Sequence, residues 1–312
     1  MSSFTVPVAS LGVPRIGRRR ELKSALEAYW SGKSPAEELL DTARRLRAEN
    51  WMEQRDRGIT IIPSNDFSLY DHVLDTAVMV GAVPQTYGGP SSEPSLDRYF
   101  AMARGGHTAE ACGCGHSSHD AHGLPALEMT KWFDTNYHYM VPELSPDQDF
   151  ALNSAKVVDE FREAAALGIR TRPVILGPVT FLKLAKSRGE PFDTLSLLPK
   201  LLPVYAELLH ALWQAGANWV QVDEPCLVLD LEGAERAAID LAYRRLATEA
   251  PEVRIMLATY FGALGDNLDV ALALPVAGLH VDLVRAPGQL ELVARLARKD
   301  MVLSLGLIDG RN

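Results

Sequence analysis

Arg15, Arg18, Arg19, Arg20 and Lys23 crowd the start of a helix-forming segment, RRRELKSALEAYW. A helix start already carries partial positive charge, so acidic side chains would be the stabilising choice there. A bound anion reverses that balance, because dipole and cations then both favour it. Arg19 and Arg20 stand four and three residues before Lys23, which places the three on one helical face. The same spacing also suits a solvated basic turn near a chain terminus.

Three other groups compete for the chemistry. EMTKWFDTNYHYMVPE (128–143) gathers Lys131, Asp134, Asn136, Tyr137 and His138, the residue types of a polar pocket with aromatic walls. It reads equally as a strand whose aromatics are core. Cys112, Cys114, His116, His119 and His122, with His107 nearby, have chance affinity for a metal. Their spacing fits no established zinc pattern, and the loop around them is glycine, serine and alanine. Asp223-Glu224-Pro225 ends an apolar run, where paired carboxylates suit a metal, a base or an amine, or else anchor the structure. Asp66, Asp71 and His72 carry the same ambiguity. Gly-x-Ser-x-Gly and Gly-x-x-x-x-Gly-Lys are both absent.

The elements that must position these residues alternate. Two helices occupy 18–58: Ser34 suits an N-cap, Pro35 the first helical position, and Gly58 the stop. Apolar β-branched runs then follow at 58–67, 171–179, 218–225, 253–261, 276–284 and 300–308, with helical stretches between them. Strands apolar throughout and alternating with helices indicate a parallel sheet covered on both faces. With about seven such units and no Gly-x-Gly-x-x-Gly after the first strand, an α/β (β/α)8 barrel of TIM type fits better than a doubly wound nucleotide fold. The domain reading is a helical segment at 1–58 packed on a barrel at 59–312, with a Gly-, Pro-, Ser- and His-rich insertion at about 85–127. The strand count falls short of eight, so the expectation is a barrel cut before its last strand. Polar residues fall at the carboxyl ends of strands (Asn65, Asp66, Asp223, Glu224, Tyr260, Asp282, Asp309), where barrel enzymes place their chemistry.

Composition narrows the partners. The 312 residues carry net charge −9, which argues against general nucleic-acid or anionic-membrane binding. Three cysteines make no disulfide framework, and a reducing, cytoplasmic setting follows. No run of 18 apolar residues and no secretory signal pattern is present.

LGVPRIGRRRELKSALEAYW, IIPSNDFSLYDHVLD, ALEMTKWFDTNYHYMVPEL, GPVTFLKLAK, WVQVDEPCLVLDL, ATYFG and LSLGLIDGRN closely resemble successive blocks of the amino-terminal domain of cobalamin-independent methionine synthase. The blocks span nearly the whole chain in the family's order. The resemblance implies two duplicated (β/α)8 barrels in the parent. The carboxyl-terminal one holds zinc and homocysteine, and the amino-terminal one helps hold the oligoglutamate tail of 5-methyltetrahydropteroyltri-L-glutamate. Carried over by motif, Arg20, Glu21, Leu22 and Lys23 belong to the tail site, as do Lys131 and Asn136. Arg15, Arg18 and Arg19 extend it by charge alone. Zinc is expected in the parent's other barrel, a partner of this one, and cobalamin in neither. Asp223 and Glu224 look like the duplicated counterpart of a functional motif, here structural. The expected role is binding the folate tail, with no catalysis by this chain alone. The rivals are a tail-binding module serving a separate zinc barrel and a standalone metal-dependent barrel.

Overall fold

A computed structural model describes residues 6–89, 95–106 and 123–310. The chain enters through two helices, α1 (Glu21–Trp30) and α2 (Ala36–Asp56). β1 (Ile62–Ser64) leads to α3 (His72–Met79) and then α4 (Leu96–Arg104). β2 (Met129–Lys131), β3 (His138–Met140) and β4 (Glu143–Leu144) precede α5 (Lys156–Ala166). β5 (Thr171–Leu176), α6 (Pro178–Leu184), β6 (Lys186–Ser187) and α7 (Leu198–Gln214) follow. β7 (Trp219–Asp223), α8 (Gly233–Glu249), β8 (Arg254–Ala258) and α9 (Leu268–Ala273) continue the alternation. It ends with β9 (Gly278–Asp282), α10 (Leu290–Leu296) and β10 (Val302–Gly306).

Six of these strands form one parallel sheet in the order β1-β5-β7-β8-β9-β10, curled as a half-barrel. The sequence suggested about seven units of an eight-stranded barrel, whereas the sheet among the described residues has six strands, each on one of the six apolar runs. Ile62 pairs directly with Thr171, so no strand lies between β1 and β5 in the sheet. β2 and β3 instead form an antiparallel hairpin, and β4 pairs with β6.

Register fixes what each face carries, because side chains alternate along every strand. Val220, Val222, Ile255, Leu257, Leu279 and Val281 lie on the helix-covered face and are at most 4% exposed. The opposite, inner face carries Arg172, Gln221, Asp223, Met256, His280 and Ser304. α7 closes the outer layer with Leu201, Leu202, Tyr205, Leu208, Leu209 and Leu212, all fully buried. The stretch Thr194–Gln214 is long and apolar enough to cross a membrane by composition, yet its apolar side chains serve this core.

α1 and α2 build a second core against α3 and α4. Leu22, Leu26, Leu39 and Leu46 meet Leu74, Phe100 and Met102 there. Truncating the fully buried Leu22 to alanine removes about 2–5 kcal/mol of stability. α2 begins one residue later than its Ser-Pro signal suggests: Pro35 itself is the cap, with extended backbone and no side-chain cap bond. α3 is capped by Asp71, whose carboxylate accepts the Leu74 amide at 2.8 Å.

Candidate functional site at the sheet mouth

The carboxyl ends of β1, β5, β7 and β8 open onto a cavity of about 560 Å³. Asn65 and Asp66 follow β1, while β5 ends in Leu176 and β7 in Asp223. The residues after β8, Tyr260 and Phe261, complete this side. Trp132 and Tyr137 of the β2–β3 hairpin and His72 of α3 form an aromatic wall; His72 meets Trp132 edge-on with centroids 4.4 Å apart. Asn65 (φ 63°) and Phe261 (φ 80°) are both left-handed, a conformation costly for a bulky side chain. Such strain collects at functional sites.

The carboxylates are held in different ways. Asp223 accepts Gln221 Nε2 at 2.8 Å and the Tyr260 hydroxyl at 3.0 Å. Gln221 accepts Arg172 Nη2 at 2.7 Å, so one chain of hydrogen bonds runs from the sheet interior to the mouth. Burial pushes the Asp223 carboxyl up to about 6, against the pull of those two bonds and of Arg172. Burial pushes Asp66 up to about 7, opposed mainly by the Val13 amide at 3.2 Å. His280, deeper on the inner face, is pushed down to about 4 by burial and by Arg172. The mouth thus offers carboxyl groups that titrate near neutrality beside aromatic faces.

Glu224 points elsewhere. It is fully buried and accepts the Val179 and Thr180 amides at the start of α6, together with the Tyr243 hydroxyl. Its neighbour Gly177 leaves the room: a Cβ there would lie 2.1 Å from Glu224 Cδ. This is an anchor between β7 and α6. Asp71 is likewise internal, accepting Leu74 N, Met140 N and the Tyr137 hydroxyl.

The residues expected at the tail site fall into two groups. Arg20 caps α1 in a left-handed conformation (φ 64°) with no side-chain cap bond, and it is exposed. Glu21 turns its carboxylate onto the Arg19 amide at 2.9 Å, so one anion at this helix start belongs to the chain itself. Backbone amides hold that carboxyl below its usual range. Leu22 points into the second core, and Lys23 is half exposed, 3.5 Å from Glu27. Lys131 sits on β2 opposite His138, and Asn136 in the turn of the same hairpin; both are exposed. None of these six lines the mouth cavity.

Among the cations added by charge alone, Arg15 does line it, donating to the Ser68 carbonyl, while Arg18 is taken by Glu53 at 2.7 Å. The Cys112–His122 cluster lies outside the described residues. Among those described, no group of three His, Cys, Asp or Glu side chains is placed to hold a metal. Arg172 and Gln221 were not singled out in the sequence. Their signal is Gln221 and Asp223 at alternate positions of WVQVD, and Arg172 within the otherwise apolar buried run TRPVIL, which mark the inner face of a sheet otherwise buried on both sides.

A half-barrel of parallel strands with titratable groups at the strand ends defines an α/β protein of TIM-barrel-like architecture. Residues 8–312 match the family described as cobalamin-independent synthase, N-terminal domain, and the chain belongs to that family. It is 68% identical over 309 residues to the 5-methyltetrahydropteroyltriglutamate–homocysteine methyltransferase of Mesorhizobium japonicum, covering 98% of this chain and 40% of that one. For the protein of the same name from Caulobacter vibrioides the identity is 63%, with 99% and 40% covered. The chain therefore spans about two fifths of the length of these relatives. In fold it is similar to a B12-independent methionine synthase from Shewanella sp. W3-18-1 at TM-score 0.58 and 13% identity, covering 87% of this chain and 72% of that one.

Proposed function

We propose that this chain is the folate-holding part of a methyltransferase that moves a methyl group from 5-methyltetrahydropteroyltriglutamate to homocysteine, giving methionine. The observation that carries the reading is the 68% identity, across nearly the whole chain, to a protein bearing that name. Its own contribution is a grip on the anionic oligoglutamate tail. Arg20 and Lys23 stand on one helix start, and Lys131 and Asn136 on one hairpin, all exposed. A triglutamate is a string of carboxylates, for which guanidinium and ammonium groups are the natural partners. Glu21 and Leu22 act by position: Glu21 fixes the Arg19 backbone and Leu22 roots the helix in the core.

Zinc in the parent enzyme would activate the homocysteine thiol. The described residues offer no donor set that fits it, so no step is routed through a metal on this chain. The remaining three fifths of the relatives' length is the natural place for the zinc and homocysteine site, which makes that segment this chain's partner.

Assaying the purified chain with zinc, homocysteine and the methyl-folate triglutamate tests the division of labour. No turnover alone, with turnover restored by adding the remaining portion of a relative, is the expected result. Turnover by the chain alone contradicts it.

A further inference from the structure

The two edges of the six-stranded sheet are not alike. On the β1 edge, the Ile61 amide donates to the Val8 carbonyl at 3.0 Å, and the Ile61 carbonyl accepts the Ser10 amide at 3.1 Å. Pro63 has no amide hydrogen, and its carbonyl accepts Trp51 Nε1 at 3.0 Å. That edge is sealed.

β10 pairs with β9 on one side and with no strand on the other among the described residues. The Val302 amide donates to Ala277, and the Gly306 carbonyl accepts Leu283. By alternation the backbone groups of Leu303 and Leu305 point to the open edge. The strand and its continuation, VLSLGLI (302–308), carry no charged residue. Leu307 is 63% exposed and Ile308 88%. An uncharged, apolar edge strand is a template for another strand, and natural edges are normally blunted by lysine, proline or a bulge.

We infer that the β10 edge is a self-association surface whose occupant is β10 of a second copy of this chain, running antiparallel across a two-fold axis. Charge favours that occupant. With net charge −9, two copies repel over most of their surfaces, and the 302–308 stretch lets them meet without opposing like charges. Geometry favours it too. Placing Ser304 on the axis sets Leu303 opposite the partner's Leu305, and these are the residues whose backbone groups are free to bond. The sealed β1 edge then matters, because a β10-to-β1 contact would repeat head to tail into a filament, whereas β10-to-β10 closes as a dimer.

Sedimentation equilibrium of the 312-residue chain tests this. A concentration-dependent rise from 34.2 kDa to twice that mass, and no further, is expected. Leu305→Pro removes an outward-facing amide without touching the β9 ladder, so it weakens the dimer about tenfold or more while circular dichroism stays native. Leu307→Lys with Ile308→Lys, both on exposed side chains, has the same effect by like-charge repulsion. A monomer at every concentration, a dimer indifferent to both variants, or species that keep growing beyond the dimer would overturn the inference.

Discussion

Glu224 accepts the Thr180 amide at 2.7 Å and so pins the first turn of α6 to the end of β7. Its sequence neighbour Asp223 faces the mouth cavity instead. Two adjacent carboxylates that look like one catalytic pair therefore serve two ends, one structural and one facing ligand space.

Replacing Glu224 by alanine strands two buried amides and a tyrosine hydroxyl and leaves a void. We expect a loss of about 3 kcal/mol, read as a lower urea midpoint at unchanged slope. Glu224→Gln keeps the shape and half the acceptors, so its loss is smaller. Equal losses for the two variants would show that the carboxylate oxygens are not what holds α6.

Lys156 joins three elements. Its ammonium donates to Asn65 Oδ1 at 2.7 Å and the Phe67 carbonyl at 2.8 Å, and lies 3.1 Å from Glu160 and 3.3 Å from Asp75. Lys156→Met leaves two largely buried carboxylates short of their cation, which costs about 3–5 kcal/mol. The double variant Lys156→Met with Glu160→Met recovers part of that loss. An unaltered thermal midpoint for the single variant would contradict the network.

Asp66, Asp223 and Glu224 have carboxyl pKa values raised by burial to about 7, 6 and 7. A raised acid binds its proton more tightly in the folded state. Its stabilising contribution is therefore complete below the unfolded pKa near 4 and is lost as pH rises through the folded value. The unfolding free energy attributable to these groups should fall between about pH 4 and 7. Asp66→Asn should flatten that fall, which unfolding titrations across this range would show. A slope identical to the parent's would contradict the assignment.

How much of this the sequence disclosed depends on which physical signal each part leaves. The strands β5, β7, β8, β9 and β10 were legible because apolar β-branched runs alternate with helices, and Asp223 was legible because a polar residue closes such a run; β6, two polar residues inside a stretch read as helix, was not. The partnership between β1 and β5 was not, since register across about a hundred intervening residues leaves no local pattern. The opposite directions of Asp223 and Glu224 were hidden for another reason: adjacent side chains on a strand point to opposite faces, but only the packed structure shows which face holds a helix start. Arg172 and Gln221 are polar residues within apolar runs, a signal that becomes readable only once the sheet is known to enclose an inner face.

The proposed grip on the folate tail depends on the cationic helix start and the β2–β3 hairpin holding a chain of carboxylates. Isothermal titration of the chain with methyltetrahydropteroyl mono- and triglutamate, at low and high salt, tests that most directly. Affinity should rise with glutamate number, weaken with salt, and drop about tenfold in Lys23→Ala and in Lys131→Ala. Equal affinity for the two ligands, or variants that bind like the parent, would contradict it.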